Sequence, residues 1–389
     1  MVRYILTAKL MIGRVILGLI LILCCAREPA SGSEANTAGA DFFTNGALHT
    51  FEIQLSKQNY QALQNKPREY VPATVKASGR TYTNVGVHLK GVATFRPIDD
   101  QPSLTLNFSK YVRNQRFHGL RKVHLNNGKE DPTLLCEALS AEVFEKAGLP
   151  TARVTHGRVQ LQGRNLGPYV VIEGFTPEFL GRYFKKTDGN LYDGGFRLEI
   201  TNRLERLLGK SPQNWSDLNN LAAAAAIPDL EKRWQELSIH LDADSFARYL
   251  AMQVLISNWD GYALYRNNYR IYHDPTSDRL YFIAHGMDQT FSRATAPAMP
   301  RRWDGLVAQA FMETAQGREL YQRQLKLLFA KTYDAPSLTQ HASDMSARLR
   351  PLIAERGQDA EAIYDQNVTL LRARIERRGQ FLERQLWNR

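Results

Sequence analysis

Cysteine is scarce in this chain of 389 residues. There are three, the adjacent Cys24 and Cys25 and, much further on, Cys136. A chain cleaved after its first 26 residues could form no internal disulfide and no cysteine-ligated metal site. Cys136 sits in an apolar helical run and reads as a small core residue rather than a nucleophile. The nine histidines are spread along the chain without metal-ligand spacing. Gly79, Gly86 and Gly91 are too dispersed to make a Gly-x-Gly-x-x-Gly loop, and there is no Walker A motif. Zinc-finger, helix-turn-helix and RNP signatures are absent too, so the net charge of +11 comes with no nucleic-acid-binding pattern.

The apolar run at residues 15–25 follows Arg3, Lys9 and Arg14 and precedes a small, polar stretch. It is shorter than the ~20 residues of a membrane span. Residues 1–26 are therefore expected to be a cleaved export signal, with a retained membrane anchor as the alternative if residues 5–12 lengthen the run. Leu23 and Cys24 are a poor match for lipid attachment at Cys25. Residues 27–41 read as a flexible linker, with order beginning near Phe42. Hydrophobic content of 43% and charged content of 23% suit a folded domain or two packed lobes. The positive residues are dense only at 203–210 and 372–378, where both stretches read as solvated helix faces.

Alternating patterns predict strands at 50–55, 70–77, 81–89, 103–108 and 122–126, then 153–161 and 169–174. Between them a helix is expected from Asp131, as N-cap with Pro132 at the first helical position, to Ala147, where Gly148 stops it. From residue 177 helical patterns dominate, including 177–184, 199–208, 216–225, 228–237 and 242–257. A hairpin at 268–273 and 279–284 interrupts them. The fold class is therefore α+β: a mostly antiparallel sheet plus helix, then a mainly helical part with an embedded β-hairpin. Such an order suits a cleft between two lobes.

The chemistry concentrates around that hairpin. Asp260 lies on the loop before it, Asn267 and Asn268 open it, and Asp288 follows it. Two carboxylates and an amide at one end of a hairpin suit a hard divalent cation carrying phosphate oxygens. Phosphoryl transfer needs such a set: one aspartate to accept the hydroxyl proton, and an asparagine and an aspartate to hold magnesium.

The segments Val87-His88-Leu89-Lys90-Gly91, Phe117-His118-Gly119-Leu120, Leu125-Asn126-Asn127 and Asp131-Pro132 resemble successive blocks of the CotH (spore coat protein H) kinase family. So do Gly189-Asn190-Leu191-Tyr192, Asn258-Trp259-Asp260, Asn268-Tyr269 and Met287-Asp288-Gln289-Thr290-Phe291, in order, over residues 51–291. The resemblance implies an atypical two-lobed protein-kinase-like fold, with an N-lobe at 42–175 and a C-lobe at 176–389. It also implies transfer of the ATP γ-phosphate to Ser or Thr of secreted or envelope proteins. Asp260 would be the catalytic aspartate, Asp288 the principal Mg2+ ligand, and Asn268 a further ligand with Asn267 as the adjacent candidate. Lys90 would grip the nucleotide phosphates, oriented by Glu137. Glu173 is placed like a hinge, and Tyr169 and Phe282 are candidates to sandwich adenine.

Many members of that family carry a further lysine near the place of Gln101, for which Lys110 or Arg96 could compensate. Expected partners are ATP and a secreted or envelope protein substrate, with no nucleic acid and no membrane contact beyond the N-terminal anchor. The rival functions are an inactive kinase-like binding module of the envelope or an extracellular assembly, and a metal-dependent hydrolase.

Overall fold

A computed structural model describes residues 37–44, 46–209 and 215–387. The expected leader and most of the expected linker lie outside these residues. The described part begins earlier than the composition suggested. Helix α1 (Ala40–Thr44) buries Phe42 and Phe43, and the Phe42 ring meets Phe117 edge-on at 4.8 Å.

The first half builds a barrel. Strands β1 (His49–Gln54), β2 (Val71–Ala77), β3 (Arg80–Lys90), β4 (Ser103–Asn107), β5 (Lys122–Asn126), β6 (Val154–Leu161) and β7 (Arg164–Glu173) join in the order β1-β2-β3-β4-β5-β7-β6. All pairs are antiparallel except β1 with β6, and that parallel pair closes the sheet on itself. Closure removes both sheet edges, which would otherwise expose unpaired backbone groups. It cannot be read from the strand pattern, because β1 and β6 are joined by a long stretch of chain. Alternate residues fill the interior, among them Phe51, Val87, Leu89, Leu106, Leu125 and Val171. Helix α2 (Lys57–Asn65), capped by Ser56, was not foreseen and packs against β2.

Helix α3 (Cys136–Lys146) starts four residues later than expected. The Asp131 carboxylate accepts from the backbone N–H groups of Thr133 (2.9 Å) and Cys136 (2.8 Å), so it organises a loop ahead of the helix. Pro132 belongs to that loop. Leu134 there has a left-handed backbone (φ 62°), and its carbonyl accepts from His156 Nε2 at 2.7 Å. Cys136 is buried, and burial pushes its thiol up, which suits a core residue.

The second half has its own core. Helices α4 (Pro177–Leu180), α5 (Ser216–Ala225), α6 (Leu230–His240) and α7 (Ala243–Leu255) precede the short α8 (Tyr262–Tyr265). Asp229 and Asp242 cap α6 and α7 through their side chains. After the hairpin come α9 (Leu306–Glu313), α10 (Ala315–Thr332), α11 (Ala335–Ala354) and α12 (Gln358–Trp387). The hairpin β10 (Tyr269–Asp274) and β11 (Arg279–Ala284) sits in a four-stranded sheet with β8 (Leu191–Asp193) and β9 (Glu205–Leu208), in the order β11-β10-β8-β9.

The helix expected over 199–208 is thus replaced by a turn and an edge strand. Glu199 is buried, and its carboxylate accepts from the Tyr262 hydroxyl (3.0 Å) and Leu306 N–H (2.7 Å), ties that a helix running on from there would not allow. The basic groups also differ from expectation. Arg203 and Arg206 lie over the Trp215 ring. Arg378 is fully buried and donates to the carbonyls of Val254, Leu255, Ala294 and Ala296. Among the described residues no helix is long and apolar enough to cross a membrane.

Burial holds His156 neutral, lowering it from 6.5 to about 4. The unfolded chain takes up this proton near its ordinary value, whereas the folded chain refuses it until about 4. The stability present above 6.5 is therefore lost between about 6.5 and 4, by up to roughly 3 kcal/mol. His156→Gln should flatten the fall of urea-unfolding free energy across that window. An unchanged slope would remove His156 from the acid response.

Candidate active site

A cleft of about 330 Å³ lies where the barrel meets the helical core. From the barrel side come Lys90 at the end of β3 and Asn126 at the end of β5, and α3 adds Glu137. Asp260, Asn267, Asn268 and Asp288 face them from the hairpin side. A larger groove of about 610 Å³, near Leu325 and Phe381, has no acidic side chain in its wall, so size alone does not mark the reactive site.

The loop carrying Asp260 is held tightly. Helix α7 ends at Leu255, Ser257 just beyond it is left-handed (φ 54°), and Asn258 N–H returns to the Gln253 carbonyl at 2.8 Å. Asp260 is buried, and its Oδ2 accepts from Asn268 Nδ2 at 2.7 Å and Asn267 Nδ2 at 3.1 Å. Both amides fall on one oxygen, and Oδ1 has no hydrogen-bond partner among the described residues. Burial raises the Asp260 carboxyl above its ordinary value, while the two amides act in the opposite direction.

Asp288 is reached by a tight passage after β11. Gly286 is left-handed (φ +58°), and a Cβ there would stand 2.7 Å from Asn268 Oδ1. Glycine at 286 therefore lets Asn268 lie against the chain that delivers Asp288. The next turn is tied to α3, with Ser140 Oγ 2.8 Å from Thr290 Oγ1.

The charges in this cleft are incompletely paired. Lys90 Nζ donates to Asn126 Oδ1, and no ion pair within 4 Å joins Lys90 to Glu137 among the described residues. Burial, opposed by the Glu137 carboxylate, lowers Lys90 to about 8. Burial, reinforced by Asp288, pushes Glu137 up to about 8, and Glu137 Oε2 is buried without a hydrogen-bond partner. Asp288 is pushed up to about 7 by burial and then by the Asp131 carboxylate.

Such carboxylates fit a divalent cation, because a nearby cation lowers raised carboxyl groups and satisfies an orphaned oxygen. Among the described residues no group of three or more His, Cys, Asp or Glu is drawn together as a complete metal site. Asp288 and Asn268 would supply part of a ligand set, and phosphate oxygens the remainder.

Not every expected residue reaches the cleft. Tyr169 lies in the barrel interior, and its hydroxyl donates to the Pro102 carbonyl at 3.0 Å. Phe282 is locked in the helical core against Tyr262 (4.7 Å) and Phe246 (4.9 Å). Glu173 is fully buried between Arg153 and Arg182, each 2.6 Å away. Strand parity explains the first: on β7, Tyr169 and Val171 point into the barrel, while Ile172 points the other way and lines the cleft. Lys110 stacks on Tyr70 and Arg96 pairs with Asp100, and neither lines the cleft.

Residues that the sequence reading passed over take their place. Arg270 is paired with Asp193 at 3.0 Å, and its guanidinium lies 4.0 Å from the Phe175 ring centre. Its Nε and Nη1 are buried without partners. Arg270 lies on β10 opposite Asp193 of β8, just after the left-handed Asn268, and both Arg270 and Asn268 line the cleft.

Fold and cleft together define a mixed α+β protein whose reactive groups meet between a barrel and a helical core. A family model described as "CotH kinase protein" matches residues 87–382, more than half of the chain, and the chain belongs to that family. The match extends well past Phe291, into helices where no motif was legible. "Inner spore coat protein H" of Bacillus subtilis (strain 168) is 23% identical over 298 residues, covering 70% of this chain and 80% of that protein. "Invasin CotH3" of Rhizopus delemar is 25% identical over 285 residues, covering 67% of this chain and 46% of that one. Among solved structures, HipA of Shewanella oneidensis, in complex with HipB and operator DNA, aligns at 14% identity with a TM-score of 0.35, covering 88% of this chain and 76% of that one. The Helicobacter pylori proinflammatory kinase CtkA aligns at 9% identity with a TM-score of 0.34, covering 72% and 94%.

Gly286→Ala should cost about 1–2 kcal/mol, the usual penalty for a Cβ in left-handed backbone. Urea denaturation measures it. A variant as stable as the parent would mean that glycine is not required at this position.

Proposed function

We propose that this protein is a kinase that transfers the γ-phosphate of ATP to a serine or threonine hydroxyl of a secreted or envelope protein. The barrel with α3 (residues 42–175) would act as the smaller lobe and residues 176–389 as the larger. The observation that carries this reading is the arrangement around Asp260: a carboxylate held by two amides on one oxygen, in a cleft shared with Asp288 and facing Lys90 and Glu137. Membership of the CotH kinase family supports it. The names of the relatives, a spore coat protein and an invasin, support placement outside the cytoplasm.

In this reading Asp260 Oδ1 accepts the proton of the acceptor hydroxyl. A carboxyl raised by burial is a better proton acceptor than an ordinary one, and its fixed orientation aligns the hydroxyl for attack. A bond forms from the hydroxyl oxygen to the γ-phosphorus, the bond to the β,γ-bridging oxygen breaks, and ADP leaves. Lys90 turns from Asn126 to the phosphate oxygens, and Glu137 approaches it as counter-charge. Asp288 and Asn268 would hold Mg2+, which when bound neutralises the phosphate charge. Ile172 and Phe175 offer an apolar wall for the base, with Arg270 against it.

The unmade Lys90–Glu137 pair favours a second reading, a catalytically inactive binding module, since that pair accompanies activity in kinases. Radiolabel transfer from γ-labelled ATP to a serine-rich protein separates the two. Asp260→Asn should keep Mg-ATP affinity within about tenfold while losing roughly two orders of magnitude or more in turnover. Equal transfer by parent and variant would refute the role of Asp260. A folded parent that binds ATP but transfers nothing would establish the binding module.

Calorimetric titration tests Lys90 separately. Lys90→Ala should weaken ATP binding by about tenfold or more, the loss of one charge-assisted contact. Unaltered affinity would remove Lys90 from the phosphate site.

A further inference from the structure

Beside Asp260 runs a row in which guanidinium groups and aromatic rings alternate. The Arg197 guanidinium lies 4.2 Å from the Tyr265 ring centre, and its Nη1 is 3.4 Å from the Tyr265 hydroxyl. Tyr265 meets Trp259 edge-on at 5.7 Å, and Arg293 lies 4.5 Å from the Trp259 ring centre. Trp259 immediately precedes Asp260, and Phe196, beside Arg197, lines the cleft with half of its surface exposed. The row therefore runs from the mouth of the cleft past the proposed base.

Its two ends are uncompensated. Arg197 and Arg293 are exposed, and among the described residues neither has a carboxylate within 4 Å. Nearby Arg266 and Arg270, by contrast, pair with Asp304 and Asp193. A guanidinium lying over a ring is held in place by that contact, and its N–H edge remains available for a carboxylate. Next to Trp259 and Arg293 a notch of about 140 Å³ is walled by Leu264, Pro297 and Pro300, room for an apolar side chain.

We propose that this row is the docking surface for the acceptor, and that it selects an extended acidic segment with Asp or Glu on both sides of the phosphorylated serine or threonine. The inference rests on the kinase reading for its purpose but not for its geometry. Charge complementarity at two fixed positions, with Trp259, the residue before Asp260, between them along the row, matches acids flanking one hydroxyl. The notch matches a neighbouring apolar residue. Nucleic acid fits less well, since both rings are half-buried and already engaged with a guanidinium, which leaves little open face for a base to stack on.

The test uses the full chain and three serine peptides of one length, with Glu, Gln or Lys flanking the serine. Fluorescence anisotropy measures their binding to the Asp260→Asn chain, so docking is read without turnover. The Glu peptide should bind about tenfold or more tightly than the Gln peptide, and more weakly as salt rises. Adding Arg197→Glu and Arg293→Glu should abolish that preference, with the Lys peptide gaining. In the otherwise unsubstituted chain the same pair should raise KM for the Glu peptide far more than KM for ATP. A preference that survives both substitutions, or tighter binding of a single-stranded oligonucleotide that they abolish, would overturn the proposal. If the Glu preference holds while no chain transfers phosphate, the docking surface stands and the kinase reading falls.

Discussion

The space between barrel and helical core holds more charge than it pairs within itself, and much of the surrounding structure follows from that. A buried unpaired charge costs several kcal/mol, so such groups persist where the surrounding fold is stable enough to bear them. Lys90, Glu137 and Asp288 share a cleft without a direct ion pair among them, and each is shifted toward its neutral form. Two separate cores, one inside a closed barrel and one among helices, supply the rigidity that holds them there.

Several local features are consequences of holding that site. The Asp131 carboxylate delays the start of α3 by organising the loop before it, and its charge lies close enough to raise Asp288. The left-handed Leu134 in the same loop is braced by His156 from β6, so the barrel wall fixes the approach of α3 and with it Glu137. Ser140 and Thr290 then tie α3 to the turn after Asp288. On the other side, the buried Arg378 gathers carbonyls from the end of α7 and from residues 294 and 296, bracing the two segments that carry Asp260 and Asp288. The long C-terminal helix thus supports the site without entering it.

Asp260, Asn267, Asn268 and Asp288 were legible in the sequence because they flank a hairpin whose alternation is strong, and a hairpin returns its ends to one place whatever surrounds it. Lys90 was legible as a member of an ordered block at a strand end, and Glu137 from its place on the helix expected after Asp131-Pro132. Tyr169 was misplaced because strand parity decides which wall a side chain joins, whereas Glu173 is taken up by Arg153 and Arg182 and Phe282 by the aromatic packing of the helical core. On strands buried on both faces, hydrophobicity does not reveal parity. Arg270, Asp193 and Phe175 escaped notice for a related reason: their roles come from pairing between β8 and β10 and from the end of β7, contacts between segments far apart in sequence.

The sequence by itself determined the seven strands of the first half, the mainly helical character of the second, the hairpin with its polar ends, and the family to which those ordered blocks point. These depend on local periodicity and on residues close along the chain. Tertiary structure alone decided that the first sheet closes through a parallel β1–β6 pair, that residues 205–208 form an edge strand, and which aromatic rings line the cleft. Each of those outcomes is set by long-range packing, where burial of one face against a distant segment outweighs local preference.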